Sequence, residues 1–328
     1  MQNVCLFAHF DKDGRVDDYV LRYLKNIRQL QFSIIFISTA NLPKLEVERL
    51  QSDCDDIILR QNTGFDFGSW SKGFAKHAHN IGGRLLLAND SVYGPIGSLA
   101  TALGRLTTET ADFYGFVESI EPTPHLQSWF LLFEPWVVRH SEFGAILGQA
   151  FSEMDKKDII KTGELNLSRR LHAAGFEYTA LYSIRRSGLA ARYIPTNPTQ
   201  FLWRELLLQE QIPFLKVELL RDNPVGLEDA ETILSAVESI DPSFCQLIKA
   251  HLARTIKKYP PSRRSRWINM LRSKLVRKGY YLSRTHRRLA EFLNFIVLTF
   301  LMGAPKLIKS TLLMVGLRVG RVLRRQQA

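Results

Sequence analysis

The sequence has little cysteine and lacks the common nucleotide and metal motifs, and these absences exclude several classes of protein. Its three cysteines, Cys5, Cys54 and Cys245, are too few and too scattered for a disulfide framework or a cysteine zinc site, which indicates a reducing compartment. No G-x-x-x-x-G-K-[ST] loop and no G-x-G-x-x-G after the first predicted strand is present, which argues against P-loop hydrolysis and a nicotinamide site. The chain also lacks the H-E-x-x-H and G-x-S-x-G motifs of zinc peptidases and serine hydrolases.

Signal-peptide and membrane-spanning patterns are missing as well. The first residues lead straight into a short apolar run without a basic leader, and we expect an unsecreted protein. Residues 289–302 are mostly apolar, but a spanning helix needs about 20 such residues. The pattern therefore favours attachment in the plane of a membrane over crossing it.

Positive charge is distributed very unevenly along the chain. Residues 262–328 contain 16 Lys and Arg and a single acid, Glu291, whereas the preceding residues carry a net charge of −3. The sequence therefore predicts two parts, an α/β domain over residues 1–260 and a basic amphipathic helical tail over residues 261–328.

The basic residues of the tail alternate with bulky apolar side chains such as Trp267, Leu271 and Tyr280. This mixture is typical of a helix that lies on an anionic lipid surface. A nucleic-acid-binding tail is a weaker alternative because phosphate binding needs charge but gains nothing from apolar bulk. A solvated or partner-binding helix remains a third interpretation. We expect the cytoplasmic face of the inner membrane as the location, and no nucleic-acid partner.

The body alternates short apolar runs with helical periodicity. Predicted strands at residues 3–8, 33–38, 56–60 and 84–88 are separated by predicted helices, the first starting near Val16 and the others spanning about 43–50 and 68–79. The second strand carries almost no polar residue, as expected of a strand buried on both faces of a parallel sheet. The pattern predicts an α/β fold with a mostly parallel, Rossmann-like sheet and flanking helices.

In such a sheet the loops after the strands bind ligands. Two of these loops, residues 61–70 and 89–95, place glycines beside carboxylates and amides, which suits close backbone approach and hydrogen bonding to a ligand. Ordinary turn chemistry explains either loop alone equally well.

Taken together, the motifs resemble inverting GT-A glycosyltransferases, and most closely the rhamnan synthesis protein F family of bacterial surface-polysaccharide enzymes. The resemblance covers about residues 3–225. Its features are His9, Asn62-x-Gly64-x-Asp66, Asn89-Asp90-Ser91 with Gly94-Pro95, and the segments 112–115, 125–133, 213–216 and 219–224.

The resemblance implies a GT-A-like fold and transfer of a sugar, with rhamnose as first candidate, from a nucleotide-diphosphate donor to a lipid-linked glycan acceptor. By position, Asp90 corresponds to the acidic residue that meets the donor diphosphate directly or through a divalent cation. Asn89 and Ser91 flank it. Only one carboxylate stands where the common metal motif has two, which leaves Mg²⁺ or Mn²⁺ at Asp90 an open alternative to metal-free binding.

Other donor-binding candidates follow from the same resemblance. Asn62, Gly64 and Asp66 correspond to a loop that contacts the donor nucleotide or sugar, and His9 lies at the end of the first strand. A lone histidine at a strand end is also explained by local hydrogen bonding. Four basic residues are weaker candidates for binding the diphosphate because loop charges are mostly solvated; they are Arg185, Arg186, Lys216 and Arg221.

The acceptor side is predicted from two segments. Gln127, Ser128 and Trp129 are candidates for the sugar pocket, although a tryptophan buried in the core fits equally well. Inverting transfer needs a carboxylate to deprotonate the acceptor hydroxyl, and Glu164 is the candidate, in the first turn of a short amphipathic helix. The alternative role of Glu164 is to interact with the helix dipole.

Three interpretations of the whole chain remain open at this point, of which the third, a nucleic-acid-binding protein with an α/β body, is disfavoured by the composition of the tail. The first is a glycosyltransferase. The second is a noncatalytic module that binds nucleotide-sugars or glycans and organises other enzymes at the membrane.

Overall fold

The structure is a computed structural model that describes residues 2–184, 197–226, 230–255 and 263–285. The strands are β1 (Asn3–His9), β2 (Phe32–Ser38), β3 (Asp56–Leu59), β4 (Leu85–Asn89), β5 (Val92–Tyr93), β6 (Phe113–Ser119), β7 (His125–Leu126), β8 (Phe130–Phe133), β9 (Tyr178–Ser183) and β10 (Leu215–Lys216). The α-helices are α1 (Asp18–Gln29), α2 (Lys44–Leu50), α3 (Phe65–His77), α4 (Leu99–Leu106), α5 (Pro135–Arg139), α6 (Ser141–Leu147), α7 (Lys156–Ile159), α8 (Asn166–Ala173), α9 (Pro198–Phe201), α10 (Trp203–Leu208), α11 (Val217–Arg221), α12 (Ala230–Glu238), α13 (Pro242–Thr255) and α14 (Arg263–Thr285).

The predicted α/β sheet with flanking helices is confirmed. Strands β3, β2, β1 and β4 lie side by side in that order and run parallel. Beyond β4 the sheet continues through β8, β6 and β7 with antiparallel pairing, and β9 pairs with β6 in parallel. The sheet is therefore mixed, with its parallel half formed by the four strands that the sequence predicts.

The core has two layers, one on each face of the sheet, because side chains of a strand alternate between faces. From β1, Cys5 and Phe7 pack with α1 on one face. Val4, Leu6 and Ala8 pack on the opposite face with α3. Burial on both faces explains why these strands are almost entirely apolar.

Helix α3 begins three residues earlier than the sequence predicts. Gly64 and Phe65 both have positive φ, 70° and 48°, and they turn the chain directly from the loop into the helix. A Cβ on Gly64 would lie 2.9 Å from the carbonyl of Phe151, so glycine is required there for conformation and for space. As a result Asp66 belongs to the first turn of α3 rather than to a loop.

Helix α14 is the part of the predicted tail that the structure describes; residues 286–328 lie outside the described residues. It packs on the body through Val276 and Tyr280, which are 0% and 2% exposed. Tyr280 Oη donates to Glu210 Oε1 at 2.6 Å, and Arg277 forms an ion pair with buried Glu205. Among the described helices, none is both long and apolar enough to cross a membrane.

Candidate functional site

The carboxyl ends of β1 and β4 form the centre of the candidate site. From β1 the chain continues through α1 to β2 on one side, whereas β4 lies on the other side, so the strand order reverses between β1 and β4. Crevices at such points bind ligands in open α/β sheets. The backbone N–H of Phe10, just after β1, donates to Asp90 Oδ2 at 3.0 Å and joins the two strand ends.

Asp90 lies at this junction with its side chain 16% exposed. Its backbone carbonyl accepts a hydrogen bond from Tyr19 Oη at 3.0 Å. Burial raises the pKa of the Asp90 carboxyl well above its ordinary value, against the hydrogen bond from Phe10, and the charge of Asp66 raises it further.

His9 is buried beside Asp90. Its Nδ1 is hydrogen-bonded to Ser38 Oγ at 3.0 Å, and its Nε2 lies 3.8 Å from Asp90 Oδ2. Burial lowers the pKa of His9 to about 4, although Asp11 opposes the shift. His9 is therefore neutral near pH 7, and it contributes a polar ring rather than a charge to the site.

Asp66 and Asn89 connect helix α3 to the end of β4. Asn89 Nδ2 donates to Asp66 Oδ2 at 2.9 Å, and Asn89 Oδ1 accepts from Ser91 N and Oγ at 3.1 and 2.6 Å. Burial raises the pKa of Asp66 to about 6; the charge of Lys216 opposes this shift, whereas that of Glu164 adds to it. The second predicted carboxyl is thus part of the same site as the first.

Glu164 reaches the site from a different local structure than expected. It lies in a wide π-helical turn, Ile160–Leu165, that precedes α8, so its placement in the first turn of that helix was wrong. A Cβ on Gly163 would lie 2.7 to 2.8 Å from ring atoms of Phe67, so glycine lets this turn pack tightly against α3. That contact places Glu164 close enough for its charge to act on Asp66.

The acceptor candidates separate into two kinds. Ser128 donates from both its N and its Oγ to Glu164 Oε1, each at 3.2 Å, so it joins the predicted base. The Trp129 ring is 2% exposed, stacks on Phe116 and contacts Phe214, so it packs in the core and is not open to a sugar ring. Its Nε1 donates a hydrogen bond to Gln127 Oε1 at 2.9 Å, and this bond orients the Gln127 side chain.

The remaining candidates lie at the edge of the candidate site or outside the residues that the structure describes. Asn62 is exposed in the loop before α3. Arg221 forms an ion pair with Asp222 at 2.7 Å. Arg185 and Arg186 fall outside the described residues.

Two residues of the site were missed by sequence reasoning. Ser38 binds His9, and Tyr19 binds the backbone of Asp90. Ser38 ends β2, so the rule that strand ends carry ligand-binding residues could have identified it. Tyr19 gives no such signal, because at its helical position it resembles any core aromatic residue.

The described residues offer no group of three or more His, Cys, Asp or Glu side chains arranged to hold a metal ion. Mg²⁺, however, is commonly bound by one or two carboxylates together with substrate phosphates. Asp66 and Asp90 fit that pattern, since both are half-buried carboxyls whose pKa is raised chiefly by loss of solvent and further by a neighbouring carboxylate.

Comparison with known proteins agrees with the sequence motifs. The profile of the rhamnan synthesis protein F family matches residues 34–295. The virulence protein VirA of Vibrio anguillarum is 26% identical over 288 residues, covering 76% of this chain and 91% of VirA. The uncharacterized protein y4gN of Sinorhizobium fredii is 29% identical over 166 residues, covering 49% of this chain and 43% of that protein.

Among solved structures, the glycosyltransferase GlyE of Streptococcus pneumoniae TIGR4 matches with a TM-score of 0.33 and 12% identity. The match covers 80% of this chain and 66% of GlyE. Similarity of this size does not identify a fold, so the strand order above defines it.

Proposed function

This chain belongs to the rhamnan synthesis protein F family, and we propose that it transfers a sugar from a nucleotide-diphosphate donor to a lipid-linked glycan acceptor in cell-surface polysaccharide synthesis. Rhamnose is the first candidate for the sugar. The observation that carries the proposal is the acidic site, defined as Asp66, Asp90 and Glu164. These residues come from three separate segments, and their charges interact near the carboxyl ends of β1 and β4, where the strand order reverses.

In the proposed reaction Glu164 is the general base. An acceptor hydroxyl loses its proton to Glu164 while its oxygen attacks the anomeric carbon from the face opposite the diphosphate, which inverts that carbon. The bond between the anomeric carbon and the diphosphate oxygen breaks, and its electron pair leaves with the diphosphate. Ser128 orients the Glu164 carboxylate through two hydrogen bonds to one oxygen, Oε1.

Asp90, Asn89 and Asp66 bind the donor in this proposal, together with His9, Asn62, Gly64 and Ser91. A divalent cation, Mg²⁺ or Mn²⁺, would be held by Asp90 and Asp66 and would neutralise charge on the diphosphate. Gln127 lies near the acceptor side and is held by Asn197 at 2.6 Å as well as by Trp129.

The test is ligand-dependent thermal unfolding of the full chain with thymidine, uridine and guanosine diphosphates and their sugar conjugates, with and without Mg²⁺ or Mn²⁺. A ligand at 100 times its dissociation constant should add about 2.7 kcal/mol and raise the melting temperature by several degrees. We expect one nucleotide to stabilise the protein and Asp90→Asn to remove that response and sugar transfer with little change in the unliganded melting temperature.

Unchanged turnover in Asp90→Asn would contradict the donor-site assignment. Donor binding without turnover on any lipid-linked acceptor would favour the noncatalytic module instead. Asp53→Asn, a substitution of a half-buried carboxylate in the turn after α2, is the matched control and should leave the response intact.

We also propose that α14 contacts the cytoplasmic face of the inner membrane. Its outward side exposes Trp267 (60%), Met270 (41%) and Leu271 (40%). Arg266, Arg272 and Lys274 lie on the same helix, so apolar anchors and cations are interleaved. Such a position would keep the acidic site near an acceptor that is attached to lipid.

The membrane proposal is tested by cosedimentation with vesicles of anionic and of neutral lipid. Trp267→Ser combined with Leu271→Ser should weaken binding to anionic vesicles about tenfold or more, because both side chains lose burial in lipid. Leu45→Ser, at a position 68% exposed on the body, is the control. Equal binding by the double variant and the parent would contradict a role of this helix face.

A further inference from the structure

Strand β10 lies beside the acidic site because it pairs with β5, although it follows β5 by more than a hundred residues in the chain. Lys216 of β10 pairs with Val92 of β5 in antiparallel register. The backbone N–H of Val217 donates to the Ser91 carbonyl at 2.9 Å. The ribbon β5–β10 therefore brings the Lys216 backbone next to the segment that carries Asn89 and Asp90.

The position of this ribbon is set by packing that does not involve the Lys216 side chain. A Cβ on Gly94 would lie 2.2 Å from the Phe214 ring and 2.5 Å from the Pro213 carbonyl oxygen, so only glycine permits this approach. The Ile96 N–H donates to that same carbonyl at 2.8 Å. Substituting the Lys216 side chain should therefore leave the ribbon in place.

Lys216 differs from the other cations around the site. Arg221 is held by Asp222, and Arg254 is held by three aspartates. Lys216 is half-buried, and within the described part of the chain no hydrogen bond or ion pair occupies its ammonium group. Its positive charge nevertheless reaches the acidic site, since it opposes the effect of burial on Asp66.

We propose that Lys216 binds the donor diphosphate and stabilises the negative charge that develops on it as the sugar leaves. This inference rests on the proposed function. An ammonium group on a flexible stem suits a phosphate as a point charge, and an interaction that strengthens as charge develops lowers the reaction barrier. The charge stabilised by Lys216 is that of the electron pair released to the diphosphate, whereas the acceptor proton goes to Glu164.

The experiment compares binding of nucleoside diphosphates and the matching monophosphates to the full chain by titration calorimetry. Variants are Lys216→Gln, Lys216→Arg and the control Lys72→Gln, which removes an exposed lysine from α3. We expect Lys216→Gln to weaken the diphosphate about tenfold to a hundredfold and the monophosphate much less, because one charge-assisted hydrogen bond is lost. Lys216→Arg should retain most of the affinity, and Lys72→Gln all of it.

The possible outcomes distinguish failure of the Lys216 role from failure of the proposed function. If the parent binds a diphosphate and Lys216→Gln binds it equally well, the role of Lys216 is overturned and the proposed function stands. The same conclusion about Lys216 follows if mono- and diphosphate lose affinity equally. If the parent binds none of the nucleotides, the proposed function fails and this inference fails with it. Should Lys216→Gln not fold, Lys216→Met takes its place, since it also removes the charge: loss of the preference for diphosphate in Lys216→Met would support the role, and an unchanged preference would overturn it.

Discussion

Two groups of carboxylates follow the strands of the parallel half of the sheet. They differ in whether an arginine or lysine forms ion pairs with their negative charges. In the Arg254 cluster, defined as Asp11, Asp13, Asp17 and Arg254, one guanidinium binds all three acids. In the acidic site, Asp66 and Asp90 are half-buried, and no Arg or Lys forms an ion pair with either of them among the described residues.

The pKa values of the two groups follow from this difference. Partial burial alone would raise the pKa of Asp11, but hydrogen bonds from Arg254 and from backbone amides hold it below its ordinary value. Burial raises the pKa of Asp66 and of Asp90. A cluster whose acids are bound by their own arginine supports the fold, whereas half-buried acids with no such partner in the described part of the chain are available to a ligand.

The largest expected effect comes from the acidic site. Glu164→Gln should lower sugar transfer by about 10² to 10⁴-fold, since the amide cannot accept the acceptor proton. Donor affinity should remain, because Ser128 can still donate to the amide oxygen. Single-turnover transfer and donor titration measure the two quantities. Glu153→Gln, at an exposed position on the same segment, is the control, and an equal fall in donor affinity would show that Glu164 is not the base.

The second prediction concerns the pH dependence of stability. Asp66 loses its proton at a pH of about 6 in the folded protein but near 3.8 when unfolded, so its contribution to stability is lost as pH rises through that interval. Asp66→Asn should therefore be more stable than the parent by about 2–3 kcal/mol at pH 7 and nearly equal to it at pH 4. Urea unfolding at both pH values measures the difference.

For the Arg254 cluster, the same urea experiment should show a stability difference of the opposite sign. Because the pKa of Asp11 is lowered in the folded state, its stabilising effect is present above the unfolded pKa and is lost as pH falls below it. Asp11→Asn should be less stable than the parent at pH 7, with a gap that closes in acid. The same sign for both variants would remove the distinction between the two groups.

The smallest expected effect is the change in the protein's free energy of unfolding when the Arg254 cluster loses its arginine. Arg254→Gln should destabilise the protein by about 2 kcal/mol, since charge-assisted hydrogen bonds to Asp11 and Asp17 are lost while the side chain is only 17% exposed. The free energy of unfolding in urea tests this. Lys44→Gln, which removes a lysine that is 92% exposed from its pair with Glu48, should change stability by less than about 0.5 kcal/mol.

Much of the parallel half of the fold was predictable, because its signals are local. Strands such as residues 33–38 are recognisable from continuous apolar character, and β2 matches that prediction within one residue. The sequence motif around Asp90 also placed this residue correctly at the end of β4. The start of α3 was missed because two successive positive φ values, at Gly64 and Phe65, are a property of the packed turn.

The composition of the site was less predictable, since its members are distant in sequence. Lys216 reaches the Asn89–Ser91 segment only because β10 pairs with β5, and a two-residue strand has no periodicity to read. Arg254 binds Asp11 across 243 residues of chain. The inner side of α14 was equally hidden, because a basic amphipathic pattern does not distinguish a helix face that packs on protein from one that meets lipid.

The sequence by itself determined the alternation of strands and helices, the uneven charge and the strand-end positions of Asn89 and Asp90, because each depends on residues that are neighbours in the chain. Only the tertiary structure decided which carboxylates are bound by an arginine. That outcome depends on burial and on long-range partners, which are Arg254 for one group and the positive charge of Lys216 for the other.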